Sequence, residues 1–202
     1  MNALNERLER LEHYSIHSDA ICKMNAGKIF DLKGGNSGLT EELIYWNQPT
    51  EEKDVVFVYS SSTDIQTNMG IISKNARIKD VPIKIFEGPA LILSRNGQAG
   101  KAMFIDKGMF TINDHAYVLT VKEEYKKQVC LEWFSCICEK YTKNCVTSKD
   151  ANGTFNKEIF LKEQIELIDF EMQKNIVEKK RSLHTIHAKL KTFLRILGEI
   201  EN

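Results

Sequence analysis

Gly97-Gln98-Ala99-Gly100-Lys101 is the stretch whose residue types first suggest chemistry, since paired glycines before a lysine can cradle a phosphate. A phosphate loop of that class needs four residues between its glycines, and a Ser or Thr after the lysine to reach a metal ion. Here only Gln98 and Ala99 separate the glycines, and Ala102 follows the lysine. The Gly-x-x-Gly spacing also occurs in nucleic-acid-binding KH domains, where it joins helices. In this chain it joins Leu91-Ile92-Leu93 to Met103-Phe104-Ile105, so a strand-to-strand turn is the simplest description. Ser94, Arg95 and Asn96 stand at the mouth of that turn. Such side chains bond base edges or phosphates, Arg being suited to guanine and Asn to adenine. A plain hairpin with a surface arginine accounts for the same residues equally well.

Other reactive groups point away from catalysis. Cys130, Cys136, Cys138 and Cys145 lack the two-residue gap of a zinc knuckle. On a helix Cys136 and Cys138 face nearly opposite ways, so buried free thiols beside Trp133 and Phe134 are expected. His115 follows Asp114, but neighbours on a strand face opposite sides and cannot form an Asp–His pair. His13 and His17 stand alone near the start, and His184 and His187 flank a helical seam where solvated positions are the default. No Ser, Cys or Lys occupies a recognisable nucleophile setting, and no carboxylate pair stands out. The expectation is a protein that is not an enzyme, with no metal and no cofactor of its own.

The elements that must position these residues fall into three regions. Leu4, Leu8 and Leu11 sit at helical spacing in a short charged opening segment. From about Ile29 to Asn156 short strands alternate with polar turns. Val55 to Tyr59, Pro82 to Ile85, Ala90 to Leu93, Met103 to Ile105 and His115 to Val121 read as strands. Glu87-Gly88-Pro89 and Lys107-Gly108 serve as connecting turns. Glu123 to Tyr141 returns to helical spacing, with Val129, Phe134, Ile137 and Tyr141 on one side.

From Phe160 onward there is no proline, and no glycine until Gly198. Ile176, Leu183, Leu190 and Leu197 occupy one heptad position; Lys179, Ile186, Phe193 and Ile200 occupy the other. Ile165, Ile168 and Met172 extend the seam upstream through one four-residue stutter. A helix of about 35 residues is roughly 50 Å long, more than a compact domain covers. A helical partner is therefore expected for Ile176, Leu183, Ile186, Leu190, Phe193 and Leu197, the alternative being a long helix folded over its own domain. The fold class expected is α+β: an irregular β-rich domain over residues 1–159, then a coiled-coil helix over 160–202.

Composition bounds what such a chain can do. Its 202 residues are 42% hydrophobic and 28% charged, an ordinary globular mix with enough length for a real core. No apolar run is long enough to span a bilayer, and the polar, charged opening residues do not resemble a secretory signal. Five cysteines, an odd number, suggest reduced thiols and a cytoplasmic location. The 28 basic residues equal the 28 acidic ones, which at first argues against a generic nucleic-acid binder. The charge is unevenly spread, however. Lys174, Lys179, Lys180, Arg181, Lys189, Lys191 and Arg195 face only Glu178 in their segment. Lys74, Arg77, Lys79, Lys84, Arg95 and Lys101 outnumber Asp64, Asp80 and Glu87 in another. Such stripes are either solvated faces or tracks for phosphates.

Taken in order, these features resemble the DNA-specificity (S) subunits of type I restriction-modification systems. Lys28-Ile29-Phe30, Lys33-Gly34-Gly35 and Leu39-Thr40 look like the opening strand and polar loop of a target recognition domain. The run from Gly88 to Lys101 is similar to the family's apolar strand and Arg-Asn-Gly turn, and Phe110 to Ala116 fits the segment that follows. Phe160-Leu161-Lys162-Glu163-Gln164-Ile165 resembles the Glu-Gln-x-x-Ile signature that opens the spacer helix, with Leu167 at the isoleucine position and without the proline usual just before it. Typical members carry two recognition domains and two spacers, whereas this chain has one of each.

The resemblance implies a half-subunit that pairs as a homodimer through antiparallel long helices and reads a two-part site on double-stranded DNA. It implies partners too: an adenine DNA methyltransferase subunit, which would bind S-adenosylmethionine, and in some systems a restriction/translocase subunit. No membrane partner is expected. The residues expected to contact DNA are Lys33, Asn36, Ser37, Thr40, Ser60, Ser61, Ser62, Thr63, Asn68, Lys74, Arg77, Ser94, Arg95, Asn96, Lys101 and Asn113. Arg95 and Asn96 come from the matched turn, the others from polarity and loop placement. The rival reading is a coiled-coil scaffold whose β-rich head binds protein only.

Overall fold

The computed structural model describes residues 22–49, 54–61, 64, 68–147 and 153–200, with side chains of the last helix through residue 196. The expected opening helix at Leu4, Leu8 and Leu11 lies outside the described residues, as do Ser62 and Thr63.

Two four-stranded sheets form the body. The first runs in the order β4 (Gly70–Ser73), β3 (Val55–Tyr59), β10 (Met109–Ile112), β7 (Phe86–Glu87), with β10 parallel to β3. The second is antiparallel throughout: β2 (Phe30–Gly34), β11 (Ala116–Val121), β8 (Ala90–Ser94), β9 (Ala102–Ile105). Tyr59, Phe110 and Ile112 of the first sheet pack against Ala90, Ile92, Met103, Ile105, Ala116 and Val118 of the second.

The opposite face of the second sheet meets helices. Phe30, Leu91, Leu93 and Leu119 are buried with Phe134, Ile137 and Tyr141 of one helix and Phe160 of a short one. Sandwiched on both sides, β8 is buried at all five positions, which is why it reads as an unbroken apolar run. Each such buried Leu or Ile contributes roughly 1.5–3 kcal/mol of transfer free energy.

Four short elements hold the edges. A two-stranded ribbon pairs β1 (Cys22–Asn25) with β12 (Gln164–Leu167), and a hairpin pairs β5 (Arg77–Ile78) with β6 (Val81–Pro82). Helix α1 (Ala26–Ile29) follows β1, and α2 (Glu41–Trp46) covers a third apolar cluster of Leu39, Ile44, Val56, Val58, Ile72, Ala76 and Ile83. Helix α3 (Leu131–Thr142) buries Leu131, Trp133, Phe134, Ile137, Cys138 and Tyr141, the face its periodicity specifies. Helix α4 is the single turn Lys157–Phe160, capped by Asn156.

Four expectations change here. Pro82 to Ile85 is not one strand, because only Pro82 pairs, within the β5–β6 hairpin. The segment after Lys107-Gly108 contributes an additional strand, β10, before β11. Gln164-Ile165 belongs to β12 rather than to a helix, with Ile165 and Ile168 buried in the domain's own core. The long helix α5 (Phe170–Ile200) therefore starts ten residues beyond the expected position. Asp169 sets that start: its Oδ1 accepts the backbone N–H groups of Glu171 and Met172 at 2.9 and 3.1 Å, a side-chain N-cap.

Among the described residues, helix α5 packs into the domain core through its first turns. Gln173, Ile176 and Val177 are buried, while Ile186, Leu190, Phe193, Leu194 and Ile196 are exposed. Ile176, expected in an intermolecular seam, is instead packed within the domain, and Leu183 is half-buried. Arg181 is drawn to Glu132 at the start of α3, and bonds it through both Nε and Nη2.

Candidate nucleic-acid interface

Loops from both sheets converge on an open cleft of about 420 Å³. It is lined by Gly38, Leu39, Thr40 and Glu41 before and at the start of α2, Ser60 and Met69 around the β3–β4 connection, and Asn113, Asp114 and His115 between β10 and β11. The parallel pairing of β3 with β10 makes this convergence. It brings the ends Tyr59 and Ile112 side by side, so the loops that leave them emerge together. Asn36 and Asn113 then form a parallel bridge that holds the first loop beside the third.

Two asparagines expected to face DNA carry out that joining. Asn36 is buried; its Nδ2 donates to Thr111 Oγ1 and Ile112 O, both at 2.9 Å, and its Oδ1 accepts from Lys84 N at 2.7 Å. Asn113 accepts the His115 N–H on Oδ1 at 3.1 Å and points Nδ2 at Met69 Sδ, 3.3 Å away. Buried amides satisfied in this way act as fixed joints. Ser94 is also fully buried, at the end of β8.

The Ser-Arg-Asn turn lies against the same cleft, though not as a free reading head. Arg95 is half-buried, with its guanidinium 5.9 Å from the Tyr117 ring centre and Nη1 donating to Asp114 O at 3.3 Å. Its backbone N–H donates to His115 O at 2.8 Å, and its carbonyl accepts from Phe155 N at 2.8 Å. Asn96 sits between Thr154, whose Oγ1 is 3.4 Å from its Oδ1, and His115, whose Nδ1 is 3.1 Å from its Nδ2. Ser61 donates its hydroxyl to His115 O.

Elsewhere the expected residues scatter. Thr40 lines the cleft and caps α2, accepting from Leu43 N at 3.2 Å, and Ser60 lines it too. Ser37 is exposed on the turn beside Asn36. Asn68 is exposed and accepts from Gly70 N at 2.9 Å. Lys74 follows β4, and Arg77 lies on the β5–β6 hairpin, where it donates to Asp80 O. Lys33 is exposed in mid-strand on β2. Lys101 is on the far side of its turn, paired with Glu139 of α3 at 2.6 Å.

A larger cleft, of about 760 Å³, is lined by none of the expected residues. Its walls carry Asp31, Glu87, Asp106, Glu123 and Glu132 against Lys122, Lys126 and Lys174, a poor match for phosphates. No three His, Cys, Asp or Glu side chains cluster to hold a metal among the described residues. Burial pushes the Cys138 thiol strongly upward and raises Cys145 to about 11, so both are inert packing groups at neutral pH. No described helix is long and apolar enough to cross a membrane.

Thr154 and Gln173 carry no local signal in the sequence. At His115 the neighbour Asp114 is not the partner; besides Asn113 in its own loop, its partners Ser61, Arg95 and Asn96 come from two other segments.

Comparison with known proteins places this architecture. The family profile described as "Type I restriction modification DNA specificity domain" matches residues 21–201. No curated protein matches the chain. Among solved structures, the HsdS subunit from Thermoanaerobacter tengcongensis is similar with a TM-score of 0.59 at 14% identity, covering 95% of this chain and 46% of that one. The type I restriction-modification S subunit from M. genitalium gives 0.56 at 13%, covering 98% and 56%. A chain from a study of type I R-M complex assembly and conformational transition gives 0.56 at 14%, covering 99% and 50%. This chain thus spans about half the length of the solved structures it matches.

Proposed function

Since this chain belongs to the type I restriction-modification DNA specificity domain family, we propose that it is a non-catalytic subunit that reads one half of a bipartite DNA site. Two copies pair through their long helices. The pair directs an adenine methyltransferase to the site and, in a complete system, a nuclease.

One observation carries the reading: polar loops from three segments of the two sheets meet at one cleft, braced from behind by buried amides. A rigid scaffold that presents polar loops is what base readout in a major groove requires. The exposed apolar residues Ile186, Leu190 and Phe193 along α5 support the pairing, since a second helix would cover them. A twofold protein then calls for a palindromic site.

The zero net charge fits a reader that leaves part of the phosphate grip to its partners. Within the chain Arg181 and Lys101 are already engaged with acidic side chains. Mapping methylated adenines in cells with and without the chain tests the proposal. Methylation at one bipartite motif, lost when the chain is removed, is expected. An unchanged methylation pattern and no co-purifying methyltransferase would sink it.

A further inference from the structure

The residues expected to read bases at the Ser-Arg-Asn turn converge instead on a residue of another loop. His115 is exposed and lines the cleft, yet it is fixed from several directions. Its backbone N–H is held by Asn113, its carbonyl by Arg95 N–H and the Ser61 hydroxyl, and its ring by Asn96. Ordering an exposed side chain costs conformational entropy, and that cost is recovered when the ordered group meets a ligand.

Building on the DNA-reading function above, we infer that His115 is a specificity-determining residue that donates its Nε2–H to an acceptor on a base edge. The Asn96 amide is oriented in keeping with that donor. Its Oδ1 lies 3.4 Å from Thr154 Oγ1 and its Nδ2 3.1 Å from the imidazole Nδ1, an arrangement in which Nδ1 accepts and the ring proton resides on Nε2. A donor in the major groove selects purine N7, guanine O6 or thymine O4 and rejects the amino group of cytosine.

A phosphate oxygen offers the same acceptor chemistry, but the cleft does not favour one. Glu41 and Asp114 line it beside His115, and two carboxylates repel a charged phosphate more strongly than the acceptor on a neutral base edge. His115 is therefore a contact for a base, and Asn96 is its positioning residue.

Selection of bound sequences from randomised duplex DNA tests this with the full chain and its His115→Ala and His115→Gln variants. Wild type is expected to select a defined half-site. His115→Ala should relax one base position by roughly three- to tenfold, with the rest of the site unchanged, and His115→Gln should retain part of that preference through its own donor. Equal weakening on every sequence, with a shallower salt dependence, would make His115 a phosphate contact and overturn the inference. An unchanged site would overturn it as well. If wild type itself selects no sequence, the DNA-reading function fails first. A readout independent of any variant is the ring tautomer of ¹⁵N-labelled wild type. A proton on Nε2 is expected, and one on Nδ1 would refute the donor geometry.

Discussion

Oε1 of Gln173 accepts the backbone N–H of Cys130 at 2.8 Å, joining the first turn of the long helix to the residue that caps α3. The same side chain donates through Nε2 to Gln128 O and Ile168 O, at 2.8 and 2.9 Å. Gln173 is fully buried, so one amide answers three backbone groups that would otherwise be left without partners. It fixes the direction in which α5 leaves the domain. Replacing it by alanine should destabilise the fold by about 1–3 kcal/mol, read as a lower urea midpoint. A midpoint equal to wild type would mean that water replaces the amide without cost.

Gly35 stands where two loops are closest. A Cβ there would lie 2.0 Å from the carbonyl oxygen of Asn113 and 2.7 Å from that of Ile112, both backbone atoms that cannot swing aside. At its neighbour Gly34 the nearest atom would be Tyr117 Cε1 at 3.9 Å, an ordinary contact. Gly35→Ala should therefore separate the loops, cost roughly 3 kcal/mol in thermal unfolding and impair DNA binding, while Gly34→Ala should be nearly neutral. Equal melting temperatures for the two variants would contradict this packing.

Glu166 links three elements. On β12 it pairs with Lys23 of β1 at 2.7 Å and with Lys140 of α3 at 2.5 Å. The hydrogen bond from Lys140, followed by that from Lys23, holds its carboxyl at about 2, below the ordinary 4.5. A depressed carboxylate stabilises the fold above its unfolded value, and that contribution is lost as pH falls from about 4.5 through about 2. Glu166→Gln should lower stability by about 1 kcal/mol at pH 7, since the side chains are partly solvated. The gap from wild type should close as pH approaches 2. A gap that persists undiminished at low pH would show that the glutamate acts through something other than its charge.

What could be read from the sequence followed from local pattern. The α3 face of Phe134, Ile137 and Tyr141 and the buried run of β8 are set by spacing alone, and both lie in the core. Strand β10 is not legible locally because its parallel partner lies some fifty residues upstream, so nothing near Phe110 marks it as the neighbour of Phe57. The start of α5 is masked because an apolar period of three or four continues through β12, and the Asp169 cap is the one local mark of the boundary. At the site, polarity and loop position did not separate side chains that face solvent from those already bonded to backbone. Asn36 and Asn113 are of the second kind, and a sequence does not disclose which carbonyl will be waiting for an amide.

The exposed stretch of α5 supplies the test of pairing. Ile186 and Phe193 are 54% and 57% exposed, one heptad apart, and Leu190 lies between them with 37% exposure. An isolated helix end presenting such residues to water is poorly stabilised, and burying them against a second copy recovers roughly 1.5–3 kcal/mol for each side chain fully covered. The double substitution Ile186→Asp and Phe193→Asp should convert a dimer to a monomer in sedimentation equilibrium at micromolar concentration. The body of the domain should melt as before, because neither residue touches its core. DNA bearing one half-site should still bind, whereas the gain from a second half-site, which depends on linkage of the two readers, should disappear. A wild-type chain that sediments as a monomer would remove the pairing from the proposal and leave the reading cleft untouched.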